Sequence, residues 1–232
     1  MKRHCMMLFL YCLAVTLSAQ NVDQAWKEGA RMVKHLKTPA IKNRSFLITD
    51  FGASEKGTAG VNKKAINAAI DAASNKGGGK VIVPSGEWLT GPITLKSNVN
   101  LVVEAGAQLK FSTEYTDYLP VVLTRWEGVD CYNLQPLIYA YGQQNIAITG
   151  KGIIDGQGSN DKWWYMKGRA EYGWEPGKLS QEEGGRAKLL DYDQRSVPVE
   201  QRIMTLDDAL RPQLINIYQC KNVLIEGVEL RN

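Results

Sequence analysis

Gly77–Phe111 reads GGGKVIVPSGEWLTGPITLKSNVNLVVEAGAQLKF. Three short runs with alternating apolar residues stand out, Lys80–Val83, Ile93–Leu95 and Val99–Glu104, and a weaker one follows at Gln108–Phe111. Pro84-Ser85-Gly86, Gly91-Pro92, Lys96-Ser97-Asn98 and Gly106 punctuate them. Strands this short, with turns this frequent, predict an all-β body. No helix-length apolar pattern separates them, so a parallel sheet with helical crossovers is excluded. What remains open to such strands is to coil as rungs of a solenoid, each stacked on the last.

A repeat further along supports the same reading. Leu137-Ile138-Tyr139-Ala140-Tyr141 precedes Asn145-Ile146-Ala147-Ile148-Thr149-Gly150, and Leu214-Ile215-Asn216-Ile217-Tyr218 precedes Asn222-Val223-Leu224-Ile225-Glu226-Gly227. The spacing from Leu to Asn to Gly is the same in both, and Asn98-Val99-Asn100-Leu101-Val102 is a shorter echo. Asn tolerates left-handed backbone and its side chain can bond neighbouring peptide groups, so a recurring Asn before a strand predicts a solenoid corner. Each copy is one structural unit that cannot bury its apolar face alone.

On the N-terminal side, Asn62–Lys76 predicts a helix with Asn62 as N-cap and Gly77 just past its end. Its apolar face, Ala65, Ile66, Ala69, Ile70 and Ala73, is mostly alanine and suits close packing over the first rung. Asn21–Lys37 predicts an earlier amphipathic helix, stopped by Pro39. Between the two full repeat copies lies Gly156–Leu210, polar, aromatic and charged, which reads as an insertion with some helix around Gln181–Leu190. Insertions in a solenoid often build the walls of its binding face.

Of the 232 residues, 44% are hydrophobic and 22% charged, which predicts a packed core rather than disorder. Lys2 and Arg3, the apolar run Cys5–Val15 and the small residues Ser18 and Ala19 read as a secretory signal over residues 1–19. The run is too short to favour a membrane-spanning helix. Loss of Lys2 and Arg3 takes two from the formal +4, leaving about +2, which does not argue for nucleic acid. Cys131 and Cys220 remain after cleavage, either as two small buried side chains or as a bridge formed in an oxidising compartment. Two His in the whole chain, His4 and His35, argue against a His-based metal site or triad; no metal and no cofactor are expected.

The ordered set Asp50-Phe51-Gly52-Ala53, Gly78-Gly79-Lys80-Val81, Pro84-Ser85-Gly86, Leu89-Thr90-Gly91-Pro92, Asn145-Ile146, Gly152–Gly158, Trp163-Trp164, Arg211-Pro212 and Asn222–Gly227 resembles glycoside hydrolase family 28, the polygalacturonases and related pectin hydrolases. The resemblance runs from about Ile48 to the end of the chain. It implies an all-β, right-handed parallel β-helix of the pectate-lyase-like kind, with N-terminal capping helices. The expected organisation is a signal peptide at 1–19, a helical extension at 20–47 and part of a β-helix domain at 48–232 with the inserted region 156–210. The signal reading predicts an exported protein, periplasmic or extracellular, with no membrane contact after cleavage; a monomer is expected, and the resemblance implies action on the acidic plant cell-wall polysaccharide pectin.

The family's catalytic aspartates lie in an Asn-Thr-Asp motif and an Asp-Asp pair, followed by Gly-His-Gly and Arg-Ile-Lys motifs; none of these occurs here. Asp207-Asp208 lacks the glycine-rich strand context and precedes the rung that should come before the family's pair, so it reads as a helix start or loop. No catalytic residue is therefore assigned, and the chain is expected to be an N-terminal portion, truncated at its C-terminus and inactive alone. In the full enzyme one carboxylic acid would protonate the leaving oxygen and a second carboxylate would activate water, roughly 6.5–9.5 Å away. Adjacent rungs about 4.8 Å apart can supply that spacing. The alternatives are a calcium-dependent lyase on the same fold and a non-catalytic carbohydrate-binding solenoid.

Substrate contact is where this chain's own residues enter. Galacturonate is an acid, so Arg or Lys should meet its carboxylate. The candidates are Arg125, Lys167, Arg169 and Arg211, with Arg211 favoured because it opens a rung beside the insertion. Trp163, Trp164 and Trp174 are candidates for stacking on sugar rings, and Trp126-Glu127 and Tyr132 are weaker ones. Solvated surface, for the cations, and loop packing, for the aromatics, are the competing readings.

Overall fold

The computed structural model describes residues 22–232. The signal-peptide reading therefore lies outside the described residues. The chain divides into two compact units, the second being Pro39–Asn232. In the first, residues 22–35 form helix α1, ahead of Pro39 as expected.

The second unit is a parallel β-solenoid. In chain order its strands are β1 (Ser45–Leu47), β2 (Gly79–Val83), β3 (Gly86–Thr90), β4 (Ile93–Thr94), β5 (Val99–Val103), β6 (Ala107–Phe111), β7 (Val122–Trp126), β8 (Val129–Asn133), β9 (Ile138–Tyr141), β10 (Gln144–Gly150), β11 (Ile153–Asp155), β12 (Ile215–Tyr218), β13 (Lys221–Glu226) and β14 (Glu229–Arg231). Three parallel sheets result: β1-β2-β5-β10-β13, β3-β6-β11-β14 and β4-β9-β12. Each rung contributes one strand to each sheet in turn. The Val99, Ile146 and Val223 segments thus share one sheet and run the same way. Gly86–Thr90, which the sequence reading left among the turns, is the first strand of the second sheet. Its Trp88 is buried and its Leu89 faces out.

The inward column of the first sheet stacks Val81, Leu101 and Ile148 in register, all fully buried. Each such side chain contributes about 1.5–3 kcal/mol relative to exposure. The corner between the third and first sheets is made by Asn98, Asn145 and Asn222, with φ of 65°, 55° and 56°. Asn145 Nδ2 donates to Asn98 Oδ1 at 2.9 Å, and Asn222 Nδ2 donates to Asn145 Oδ1 at 2.6 Å. The repeated Asn is thus both the left-handed residue and a side-chain ladder. At the next corner Gly150 has φ 126°, and a Cβ there would fall on the Val103 carbonyl oxygen.

Helix α2 (Ala59–Asn75) packs on β1 through β5 with Ala65, Ile66, Ala69, Ile70 and Ala73 buried, as the alanine-rich face predicts. Its N-cap is Thr58, not Asn62. Asn62 is fully buried one turn inside, where its amide donates to the Ser54 and Leu89 carbonyls at 2.9 and 2.8 Å. Burial gave it more to bond than the helix end did. At the other end Gly77, at φ 78°, and Gly78 donate to the Ser74 and Ala73 carbonyls, both at 2.8 Å.

Candidate functional site

Both long insertions leave the solenoid at the corner between its second and third sheets. In the first rung that corner is just Gly91-Pro92. In the second rung it is residues 112–137, which include the antiparallel hairpin β7–β8, and in the third it is residues 156–214. Because rungs stack, the two insertions meet. Trp126, Cys131, Leu189, Met204 and Leu210 form a second buried cluster between them. Tyr132 N donates to Arg202 O at 2.9 Å, and Met204 N to Tyr132 O at 2.8 Å. The helix within the larger insertion is α3 (Gly185–Gln194), shifted C-terminal of the expected Gln181–Leu190. Gly184 and Gly185 sit against the Asp207-Asp208 backbone, which places its start.

Where this double wall meets the rungs lies a pocket of about 290 Å³, lined among others by Trp126, Trp163, Trp164, Arg211, Pro212 and Leu214. Arg211 stands between the insertion and β12. Its Nε donates to Gln181 Oε1 at 3.2 Å, and its carbonyl accepts Trp126 Nε1 at 3.3 Å. Burial pushes its pKa below the usual guanidinium value, partly offset by the charge of Glu127 and then Tyr172. Among the described residues no carboxylate lies within ion-pair distance of it, whereas Lys110 and Arg231 on the outer face of the second sheet are held by Glu87 and Glu229.

The tryptophans divide by role. Trp163, at 6% exposure and φ 54°, packs on Tyr115 and Tyr118 with ring centroids 4.8 and 5.3 Å away, and its Nε1 has no hydrogen-bond partner. Trp164 keeps 37% exposure and is the ring with a surface to offer. Burial raises the Tyr115 and Tyr118 hydroxyls well above the ordinary tyrosine value. Both therefore stay protonated and neutral beside the pocket.

Of the residues singled out from sequence, Arg211, Trp163 and Trp164 come together here, joined by Trp126, which ranked lower. Arg125, Lys167 and Arg169 do not line it. Arg125 Nη1 is 3.7 Å from Asp130, Lys167 Nζ lies 4.8 Å above the Tyr172 ring, and Arg169 Nη1 is 4.0 Å from Glu171. Trp174 donates to Lys178 O at 3.1 Å within its own loop. Gln181, which holds Arg211, carried no signal in sequence, since the pairing spans the insertion. Asp208 is buried and structural. Its Oδ2 accepts Thr205 N at 2.7 Å and Lys188 Nζ at 2.8 Å, closing a capping box at the start of a short 3-10 turn.

Asp155-Gly156 forms a turn, but the left-handed residue is Gln157, at φ 55°, whose N donates to Asp155 Oδ1 at 2.8 Å. Gly156 serves instead for close approach to the Asn232 backbone, since a Cβ there would lie 2.5 Å from the Asn232 carbonyl oxygen. Cys131 and Cys220 are free thiols, Cys131 fully buried. Among the described residues no three His, Cys, Asp or Glu side chains converge on a point that could hold a metal, and no helix is long and apolar enough to cross a membrane.

No family model matches the chain. It is 29% identical over 182 residues to a probable polygalacturonase of Vitis vinifera, covering 73% of this chain and 36% of that protein. It is 37% identical over 119 residues to the exo-poly-alpha-D-galacturonosidase of Dickeya chrysanthemi, covering 48% and 19%. Among solved structures, a hyperthermoactive exopolygalacturonase from Thermotoga maritima aligns with a TM-score of 0.83 at 41% identity, over 89% of this chain and 46% of that one. A family 28 exopolygalacturonase from Yersinia enterocolitica aligns at 0.55 and 28% identity, over 82% and 35%. The chain thus spans less than half the length of each of these relatives. In sequence and in its parallel β-solenoid the chain is similar to polygalacturonases and exopolygalacturonases, a family 28 enzyme among them.

Proposed function

We propose that the protein is an exported, monomeric glycoside hydrolase acting on pectin-type polysaccharide, and that these 232 residues supply substrate-holding surface rather than the catalytic pair. The observation that carries this reading is the half-buried, acid-free Arg211 in a pocket beside an exposed Trp164. A desolvated guanidinium with no carboxylate partner favours an anion, and a carboxylate can meet it bidentately. An aromatic face alongside suits the apolar side of a sugar ring. Uronic acid residues combine both features. Arg125, Lys167 and Arg169 serve, in this reading, as an outlying basic rim on the insertion wall. α2 acts as the N-terminal cap that keeps the first rung from pairing with another chain.

Hydrolysis with inversion needs an acid and a base flanking the bond. Asp208 is committed to Thr205 and Lys188, so in this reading it is neither member of that pair. The names of the relatives speak for hydrolysis rather than for lyase chemistry. Two measurements on the 232-residue chain test the proposal. Incubated with polygalacturonate, it is expected to release no reducing ends. Titrated with trigalacturonate it is expected to bind, with Arg211→Gln about tenfold weaker, the scale of one charge-assisted hydrogen bond. Release of reducing ends, or equal binding by the variant, contradicts it.

A further inference from the structure

Other cations of the insertion wall are met by an acid, apart from Lys167, which lies over the Tyr172 ring. Arg202 Nη1 meets Asp193 at 2.9 Å, and Lys188 meets Asp208 at 2.8 Å. Arg211 is held instead by a side-chain amide, with no acid in reach. Glu127, whose charge acts on Arg211, is engaged by Arg186 Nε at 3.1 Å, and Arg186 also meets Glu182 at 3.3 Å. The neighbouring acid is thereby neutralised by a different arginine.

Gln181 itself is rigidly placed. It is 4% exposed, its N donates to Met166 O at 2.7 Å, and its carbonyl accepts Arg186 N at 3.0 Å. Its side-chain oxygen is thus a fixed acceptor for Arg211 Nε, which leaves the terminal nitrogens of the guanidinium outside that bond. We propose that Gln181 is the positioning and specificity-determining residue of the pocket: a neutral acceptor that orients Arg211 without cancelling its charge, reserving that charge for an anionic sugar. A glutamate of nearly the same shape would hold the arginine equally well and quench it. This rests on the reading that the Arg211 pocket takes the acidic sugar.

The test titrates trigalacturonate into the 232-residue chain and its variants at two salt concentrations, with thermal melts as a fold control. Gln181→Glu is expected to bind about tenfold more weakly and to lose most of the salt dependence of binding, while melting no lower. Gln181→Met, which removes the acceptor but adds no charge, is expected to bind a few-fold more weakly and to keep the salt dependence. The double variant Gln181→Glu with Arg211→Gln is expected to be no weaker than Arg211→Gln alone. If Gln181→Glu and Gln181→Met bind as wild type while Arg211→Gln is weakened, the pocket reading stands and this inference falls. Should Gln181→Glu fail to fold, unchanged affinity in Gln181→Met is enough to overturn it. If Arg211→Gln binds as wild type, or the wild-type chain does not bind, both fall.

Discussion

At the residue scale, asparagine carries the architecture. Asn145 sits mid-ladder, donating to Asn98 and accepting from Asn222, with its backbone at φ 55°. Alanine there loses both bonds and adopts left-handed backbone unfavourably. Asn145→Ala is therefore expected to destabilise the chain by about 2–3 kcal/mol, read as a lower urea midpoint. Asn145→Gly, free of the backbone penalty, should recover about 1 kcal/mol of that. Equal loss in both variants would place the cost in the ladder bonds alone. This corner was legible in the sequence because the same residue recurs at fixed spacing before each strand. Gln181 was not, because nothing in its surroundings along the chain marks it as Arg211's partner. Asn62 misled for a related reason: a good N-cap residue type, it is buried one turn inside the helix and found better partners in the Ser54 and Leu89 carbonyls.

At the element scale, strands announced themselves where apolar alternation met turn residues, and β5, β10 and β13 stand where the repeat put them. β3 did not, since Glu87 and the outward Leu89 flank only one deeply buried large side chain, Trp88. The hairpin β7–β8 was hidden too. Its buried side is completed by α3 and Met204, far along the chain, so its own alternation is weak. That packing makes a prediction about Cys131. Burial pushes its thiol up to about 11, with Thr124 opposing the shift only in part, so at pH 8 it is protonated as well as enclosed. Thiol reagent at pH 8 should modify Cys220, which is only half-buried, well before Cys131, as peptide mapping would show. Leu189→Ala, expected to cost about 2–5 kcal/mol within the cluster, should open Cys131 to labelling; unchanged protection would mean that the wall does not depend on α3.

At the scale of the whole molecule, the solenoid acts as a ruler. Its rungs fix where each corner falls, and two insertions at one corner must therefore meet. Their meeting creates the pocket and strips Arg211 of water without giving it an acid. Sequence marked Arg211, Trp163 and Trp164 as candidates. It could not tell that Arg125, Lys167 and Arg169 point their charges at Asp130, Tyr172 and Glu171 instead, because those pairings are set by the fold of the insertion. The most direct measurement is a crystal structure of the chain soaked with trigalacturonate. The account predicts a sugar carboxylate on the terminal nitrogens of Arg211, with a pyranose face against Trp164. Sugar bound only along Arg125, Lys167 or Arg169, or with no carboxylate facing Arg211, would contradict it.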